Sequence, residues 1–227
     1  MRRLSPLRLW RDRSGAGAAE FALVLPVFLL FLLGTIDVGR FIWAVNETEK
    51  AVQIGARWAV TTDIIPGGDI GCDTSGNGNN NATPGMKCYS YALSGTIAQG
   101  DPVPQSDFPT IQCKMNGAAA ACECVSNCPA PFDITVDTVG QAAFDALVAR
   151  MAEVQPRIAA DNITISYAWS GIGYAGDPNG PDVAPIVTVG VTGLGFRPIF
   201  LAGIYDFGLP GPSYSLTMED GDGGFGN

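Results

Sequence analysis

The longest apolar run of the chain lies close to its amino terminus. No charged residue occurs between Phe21 and Ile36, a stretch that includes Pro26 and Gly34. With the small residues before it, the run reaches the roughly 20 residues that a membrane-spanning helix needs. Membrane helices tolerate proline better than soluble helices do, so Pro26 does not exclude one. The pattern therefore predicts a transmembrane helix.

Beyond this run, apolar and small residues recur every three or four positions: Val38, Phe41, Val45, Thr48, Val52, Gly55 and Ala59. Such spacing keeps one face of a helix turned towards a partner. No proline occurs from residue 27 to residue 65. We therefore expect one helix from about residue 18 to about residue 61, the alternative being an anchor followed by a separate soluble helix. Asp37 and Arg40 are interpreted as marking the outer boundary of the bilayer.

Shorter patterns follow in the second half of the chain. β-Branched and aromatic residues predict strands over residues 134–139, 163–169, 186–191 and 214–218. Phe144, Leu147, Val148 and Met151 predict an amphipathic helix over 142–154, which Pro156 ends. The fold class is then α+β, with the long amino-terminal helix packed on a small, mainly antiparallel sheet. The stretch 199–204 is more apolar than a solvent-facing loop, which leaves core, strand and contact surface for another subunit as alternatives.

The region between these parts, residues 63–132, is rich in glycine and asparagine and predicts a long irregular stretch. It contains all six cysteines, Cys72, Cys88, Cys113, Cys122, Cys124 and Cys128. An even number of cysteines in an exported domain favours disulfides, and six allow 15 pairings, among which the sequence does not choose. A metal site is disfavoured, because the spacing of the last three is not that of a zinc site and no histidine is present.

Charge is distributed unevenly. Residues 1–14 contain five arginines and one aspartate, so the acidic excess of the chain, −9 overall, lies entirely beyond them. Under the positive-inside rule the amino terminus stays in the cytoplasm and the acidic body lies on the other side of the membrane. An acidic body argues against nucleic acid as a partner. The organisation expected is a basic leader (1–15), a helix (16–62), the irregular region (63–132), an α+β domain (133–219) and a flexible acidic tail (220–227).

Histidine is absent, which excludes Ser-His-Asp and Cys-His catalysis within the chain. No carboxylate pair stands out among the acidic residues. We therefore assign no catalytic residue, no metal site and no cofactor, and we expect that the protein is not an enzyme.

The residues around Gly15 resemble the class III signal of prepilins and pseudopilins. A basic leader ends in Gly15, Glu20 stands at the fifth position after it, and Phe21 opens the apolar run. Residues 11–60 resemble more narrowly the amino-terminal region of the TadE/TadG family, pilin-like proteins of the tight-adherence (Flp, type IVb) pilus. The resemblance implies cleavage by a prepilin peptidase between Gly15 and Ala16. It also implies that Glu20 pairs with the amino terminus of a neighbouring subunit.

The function implied by this resemblance is that of a TadE-like pseudopilin, a minor subunit or assembly factor of a type IVb pilus. Its expected location is the bacterial inner membrane, crossed once, with a periplasmic body, and a place in the surface pilus is compatible with it. Its expected partners are the membrane, the prepilin peptidase, other pilin or pseudopilin subunits and the assembly machinery. The alternatives are a plain membrane-anchored periplasmic binding or structural domain, an anchored hydrolase, and a pseudopilin of type II secretion.

Overall fold

The computed structural model of the protein describes residues 16–66, 97–128, 134–176, 182–200 and 207–218. They belong to two compact units, one formed by the chain up to Ala44 with Phe196–Phe207, the other by Val45–Gly195 and the chain from Gly208 onward. The predicted leader with Gly15, the cysteines Cys72 and Cys88, and the predicted acidic tail lie outside the described residues.

The amino-terminal segment forms a single helix, α1 (Ala16–Ala59), which contains Pro26. The prediction of one continuous helix is confirmed. Within the second unit the buried positions of α1 follow the predicted spacing: Thr48, Ala51, Val52, Gly55, Ala56 and Ala59. Val38, the first member of the predicted stripe, is exposed instead.

Among the described residues, one antiparallel sheet is formed by five strands: β1 (Thr110–Asn116), β2 (Ala119–Ser126), β3 (Ile163–Ala168), β4 (Ile186–Val191) and β7 (Ser213–Thr217). Their order across the sheet is β2-β1-β3-β4-β7. Two short strands, β5 (Gly195–Phe196) and β6 (Phe207–Gly208), pair separately. Burial alternates along β3 and β4, so one face of the sheet is apolar. The strands predicted near 163–169, 186–191 and 214–218 are confirmed.

The prediction of an irregular region was wrong for residues 110–126, where β1 and β2 form a hairpin. The turn between them contains Gly117, whose positive φ of 68° suits glycine. Ile111 and Cys113 alternate with more exposed neighbours along β1 and face the core. Glycine at the first central position of a two-residue loop is a hairpin signal, but turn-rich composition before the hairpin concealed the two strands.

The predicted amphipathic helix is present as α2 (Thr138–Ala152), with Phe144, Leu147 and Met151 buried. The strand predicted over residues 134–139 was wrong. Asp137 caps the helix instead, because its side-chain Oδ1 accepts the backbone N–H of Gly140 at 2.7 Å. The β-branched residues on either side of Asp137 favour a strand. Because Asp137 caps the helix, however, the residues after it form the first helical turn.

The core of the second unit lies between the two helices and the apolar face of the sheet. Ala59 and Ile65, at and beyond the end of α1, meet Leu147 of α2 and Ile165 and Tyr167 of β3 around one small enclosed space. The α+β class, with the amino-terminal helix contributing to the core, is thus confirmed.

Tyr167 is fully buried in this core, and its hydroxyl oxygen accepts the backbone N–H of Ile65 at 3.2 Å. Burial raises the pKa of Tyr167 well above its ordinary value of 10.0. Below pH 10 the tyrosine is neutral in both the folded and the unfolded chain. Above pH 10, Tyr167 ionises only in the unfolded chain. Its ionisation should therefore lower the free energy of unfolding by about 1.4 kcal/mol for each further pH unit.

The variant Tyr167→Phe tests this effect in urea titrations of the protein in detergent micelles at several pH values. At neutral pH it should be less stable by about 1–3 kcal/mol, because the N–H of Ile65 loses its acceptor. Above pH 10 its stability should decline less steeply than that of the parent. Equal slopes for the two proteins would contradict the buried, neutral tyrosine.

Candidate functional site

The amino-terminal half of α1 exposes a continuous apolar surface. Ten large side chains are between 42% and 77% exposed: Phe21, Leu23, Val24, Val27, Phe28, Leu29, Leu30, Phe31, Leu32 and Ile36. By its length and composition this helix could cross a membrane. So much apolar surface is unfavourable in water. The helix therefore indicates membrane anchoring.

Glu20 lies near the beginning of this surface, in the second turn of α1, and it is exposed. Ala16 is the first residue of the helix, about 6 Å before Glu20 along the axis. Phe21 follows Glu20 and is also exposed. The predicted assembly residues Glu20 and Phe21 thus stand together near one helix end, where another molecule can contact their side chains.

Three glycines interrupt the bulky surface of this half of the helix. A Cβ atom added at Gly17, Gly34 or Gly39 would have no neighbouring atom within 4 Å. Packing within the described chain therefore does not explain these glycines. Small residues let transmembrane helices approach closely, so the same positions are suited to helix–helix contact in a bilayer.

Asp37 ends the uncharged run, and the structure gives it a role that the sequence did not reveal. Its side chain is 2% exposed. Oδ1 accepts the backbone N–H of Ile199 at 2.9 Å, and Oδ2 accepts that of Phe200 at 2.8 Å. Both hydrogen bonds are charge-assisted, which makes them stronger than neutral ones. Asp37 therefore fixes a segment 162 residues away in sequence to α1, and is more than a boundary marker.

The charge of Asp37 is balanced on the same helix. Arg40 places Nη1 3.4 Å from Oδ1 of Asp37 and keeps its side chain partly exposed. Its guanidinium also lies over the ring of Phe196, 5.6 Å from the centroid. That ring meets Phe41 edge-on, with centroids 5.3 Å apart. The segment that begins at Phe196 is thus held to α1 by aromatic, ionic and hydrogen-bonded contacts together.

Four of the six cysteines lie in the described part of the chain, and all four are paired. Cys113 is joined to Cys122 across the β1–β2 hairpin, and Cys124 to Cys128 beyond its end. In the ranges that the structure describes, no group of three or more acidic or cysteine side chains could hold a metal ion.

Comparison with known proteins identifies the amino-terminal segment. Residues 15–57 match the model of a family described as TadE-like protein. The predicted resemblance to TadE/TadG-like proteins is confirmed over these residues. No curated protein and no solved structure was found to be similar to the chain.

Proposed function

We propose that the protein is a TadE-like pseudopilin, a minor subunit or assembly factor of a type IVb (Flp/Tad) pilus. In this proposal a prepilin peptidase cuts the chain after Gly15, and the mature protein assembles through α1 without any catalytic activity of its own. The observation that carries the proposal is the exposed apolar half of α1, with Glu20 at its beginning and within the matched residues 15–57.

Electrostatics gives Glu20 its role in the proposal. Cleavage would create an α-amine at Ala16 that is protonated near neutral pH. A lone carboxylate and a lone ammonium are each costly in an apolar medium, whereas a pair of them is far less so. In this proposal the exposed carboxylate of Glu20 pairs with the Ala16 amine of a neighbouring subunit. Gly17 has open space around it and would allow the two helices to approach.

The remaining features are compatible with this location. The basic leader favours a cytoplasmic amino terminus at the inner membrane. The two disulfides within the described residues fit an oxidising periplasm for the body. The partners in this proposal are the peptidase, other pilin or pseudopilin subunits and the assembly machinery.

Processing is tested by amino-terminal sequencing and intact mass of the protein isolated from its native membrane. We expect a mature chain that begins at Ala16. A chain that still begins at Met1 in cells with an active prepilin peptidase would refute processing and leave a plain membrane-anchored domain.

Assembly is tested with Glu20→Gln, which removes the charge and keeps the size of the side chain. The variant should still be cleaved, but its crosslinking to neighbouring subunits in the membrane should fall roughly tenfold or more, since the opposing amine loses its counter-ion. Glu49→Gln is the matched control, because Glu49 is an exposed carboxylate of the same helix beyond the apolar half. Equal crosslinking of the two variants would refute the role of Glu20.

A further inference from the structure

The segment that Asp37 holds presents apolar side chains outward. Ile199 is 59% exposed and Phe200 is 45% exposed, although the backbone N–H groups of both are bound by Asp37. The side chains therefore point away from the contact that fixes their backbone. Two adjacent large apolar side chains held outward by a buried carboxylate favour an apolar environment outside the first unit.

The position of Asp37 along α1 indicates what that environment is. Asp37 lies about 25 Å from Glu20 along the helix axis, close to the thickness of the hydrocarbon core of a bilayer. Arg40 and Trp43 follow it within two turns, and the ring of Trp43 is exposed. Arginine and tryptophan are typical of the membrane–water interface, so Asp37 lies where the helix leaves the lipid.

The exposed apolar surface of α1 reaches the level along the helix at which this segment is fixed. Ile36, one residue before Asp37, is exposed, and Ile199 and Phe200 are fixed at the level of Asp37. Arg197 is exposed on the same segment and Arg40 on the helix, so cationic groups flank the apolar pair. Apolar side chains beside exposed arginines complement the boundary between acyl chains and phosphate headgroups.

Backbone polarity is the usual obstacle to placing irregular chain in a bilayer, because unpaired N–H groups are costly there. Here the carboxylate of Asp37 accepts the backbone N–H groups of Ile199 and Phe200, so neither N–H group is left unpaired. We propose that Ile199 and Phe200 insert into the outer boundary of the bilayer beside α1, as a second lipid contact of the protein that Asp37 positions. The inference rests on membrane anchoring of α1 and not on peptidase processing or pilus assembly.

The test uses the full chain in vesicles of phosphatidylcholine with single tryptophans added by substitution, the fluorescence of the parent being subtracted. The added residue in Phe200→Trp should be quenched by lipids brominated near the headgroup end of the acyl chain and shielded from aqueous iodide. Ile172→Trp is the control for an exposed loop position, since Ile172 is 56% exposed in the second unit, and it should show the reverse. Val27→Trp, about 15 Å further into the bilayer than Asp37, should be quenched best by bromine near the methyl end.

Each other outcome overturns a defined part of the inference. Iodide quenching of Phe200→Trp equal to that of Ile172→Trp would place the segment in water. Shielding from both iodide and bromine would show that a protein, such as a second copy of the chain, covers it. Failure of brominated lipid to quench Val27→Trp would refute membrane anchoring itself, whereas quenching at Val27 alone would refute only the second lipid contact.

Asp37→Ala tests the positioning role. When Asp37→Ala is combined with Phe200→Trp, the tryptophan introduced at position 200 should lose most of its quenching by lipid, because the two N–H groups lose their acceptor. In the combination with Val27→Trp the quenching should be unchanged, which shows that the helix still inserts. Unchanged quenching at both positions would refute the contribution of Asp37.

Discussion

The double variant Cys113→Ala/Cys122→Ala is expected to lose about 3–5 kcal/mol of its free energy of unfolding. The two cysteines face each other across β1 and β2, with Cα atoms 4.0 Å apart, and Cys113 is fully buried next to Ile165 of β3. Without the disulfide bond the unfolded chain gains conformational entropy, which favours unfolding. Without the sulfur atoms a small cavity remains in the core of the folded protein. Urea unfolding of the oxidised protein in detergent micelles measures the loss.

The second disulfide supplies the matched control. Cys124 and Cys128 are closer in sequence than the first pair, and Cys128 is exposed. Because the loop is shorter and no core packing is lost, Cys124→Ala/Cys128→Ala should cost about 2 kcal/mol or less. A larger loss from this pair than from the hairpin pair would contradict the burial that the structure gives Cys113.

Gly140→Ala is expected to lower the free energy of unfolding by about 3 kcal/mol, although alanine is the better helix former. A Cβ atom at this position would overlap the backbone carbonyl oxygen of Ile65 and lie 3.0 Å from its carbonyl carbon. Backbone cannot rotate away as a side chain does. The clash must therefore separate the first turn of α2 from the segment that follows α1.

Alanine substitutions at two other glycines provide comparisons in the same unfolding experiment. At Gly55 the added Cβ would meet Met151, with its Sδ 2.6 Å away, but a methionine side chain is flexible and can move. At Gly195 no atom lies within 4 Å. The losses should decrease in the order Gly140, Gly55, Gly195. An alanine at Gly140 that is as well tolerated as one at Gly195 would refute the close approach of Ile65.

The elements with strong local patterns could be predicted from the sequence. The long helix α1 follows from an apolar run joined to a three-and-four spacing without proline, and α2, β3, β4 and β7 follow from their periodicities. The hairpin was missed also because β2 begins with three alanines, and alanine is depleted in strands. The strand predicted over 134–139 failed because Asp137 competes locally as a helix cap.

The candidate site was only partly accessible to sequence reasoning. Glu20 and the apolar half of α1 stand out because their neighbours along the chain define them. Asp37 does not stand out in this way. Its carboxylate accepts hydrogen bonds from Ile199 and Phe200, and residues so far apart in sequence cannot be related by a local sequence pattern. A carboxylate at the end of an apolar run points to a function because a charge near the bilayer is energetically unfavourable. The residues that it binds, however, are known only from the fold.

The helix α1 also determines how the protein can be divided. Composition suggests a cut near residue 62, between an anchor and a body. Such a cut would discard Ala51, Val52 and Ala56, which are fully buried within the second unit. A water-soluble version of the body must therefore begin near Val45 and retain fifteen residues of helix, from Val45 to Ala59. Secretion or display of the body alone depends on where the shortened chain begins, because a version that begins later would lack the helical residues that complete its core.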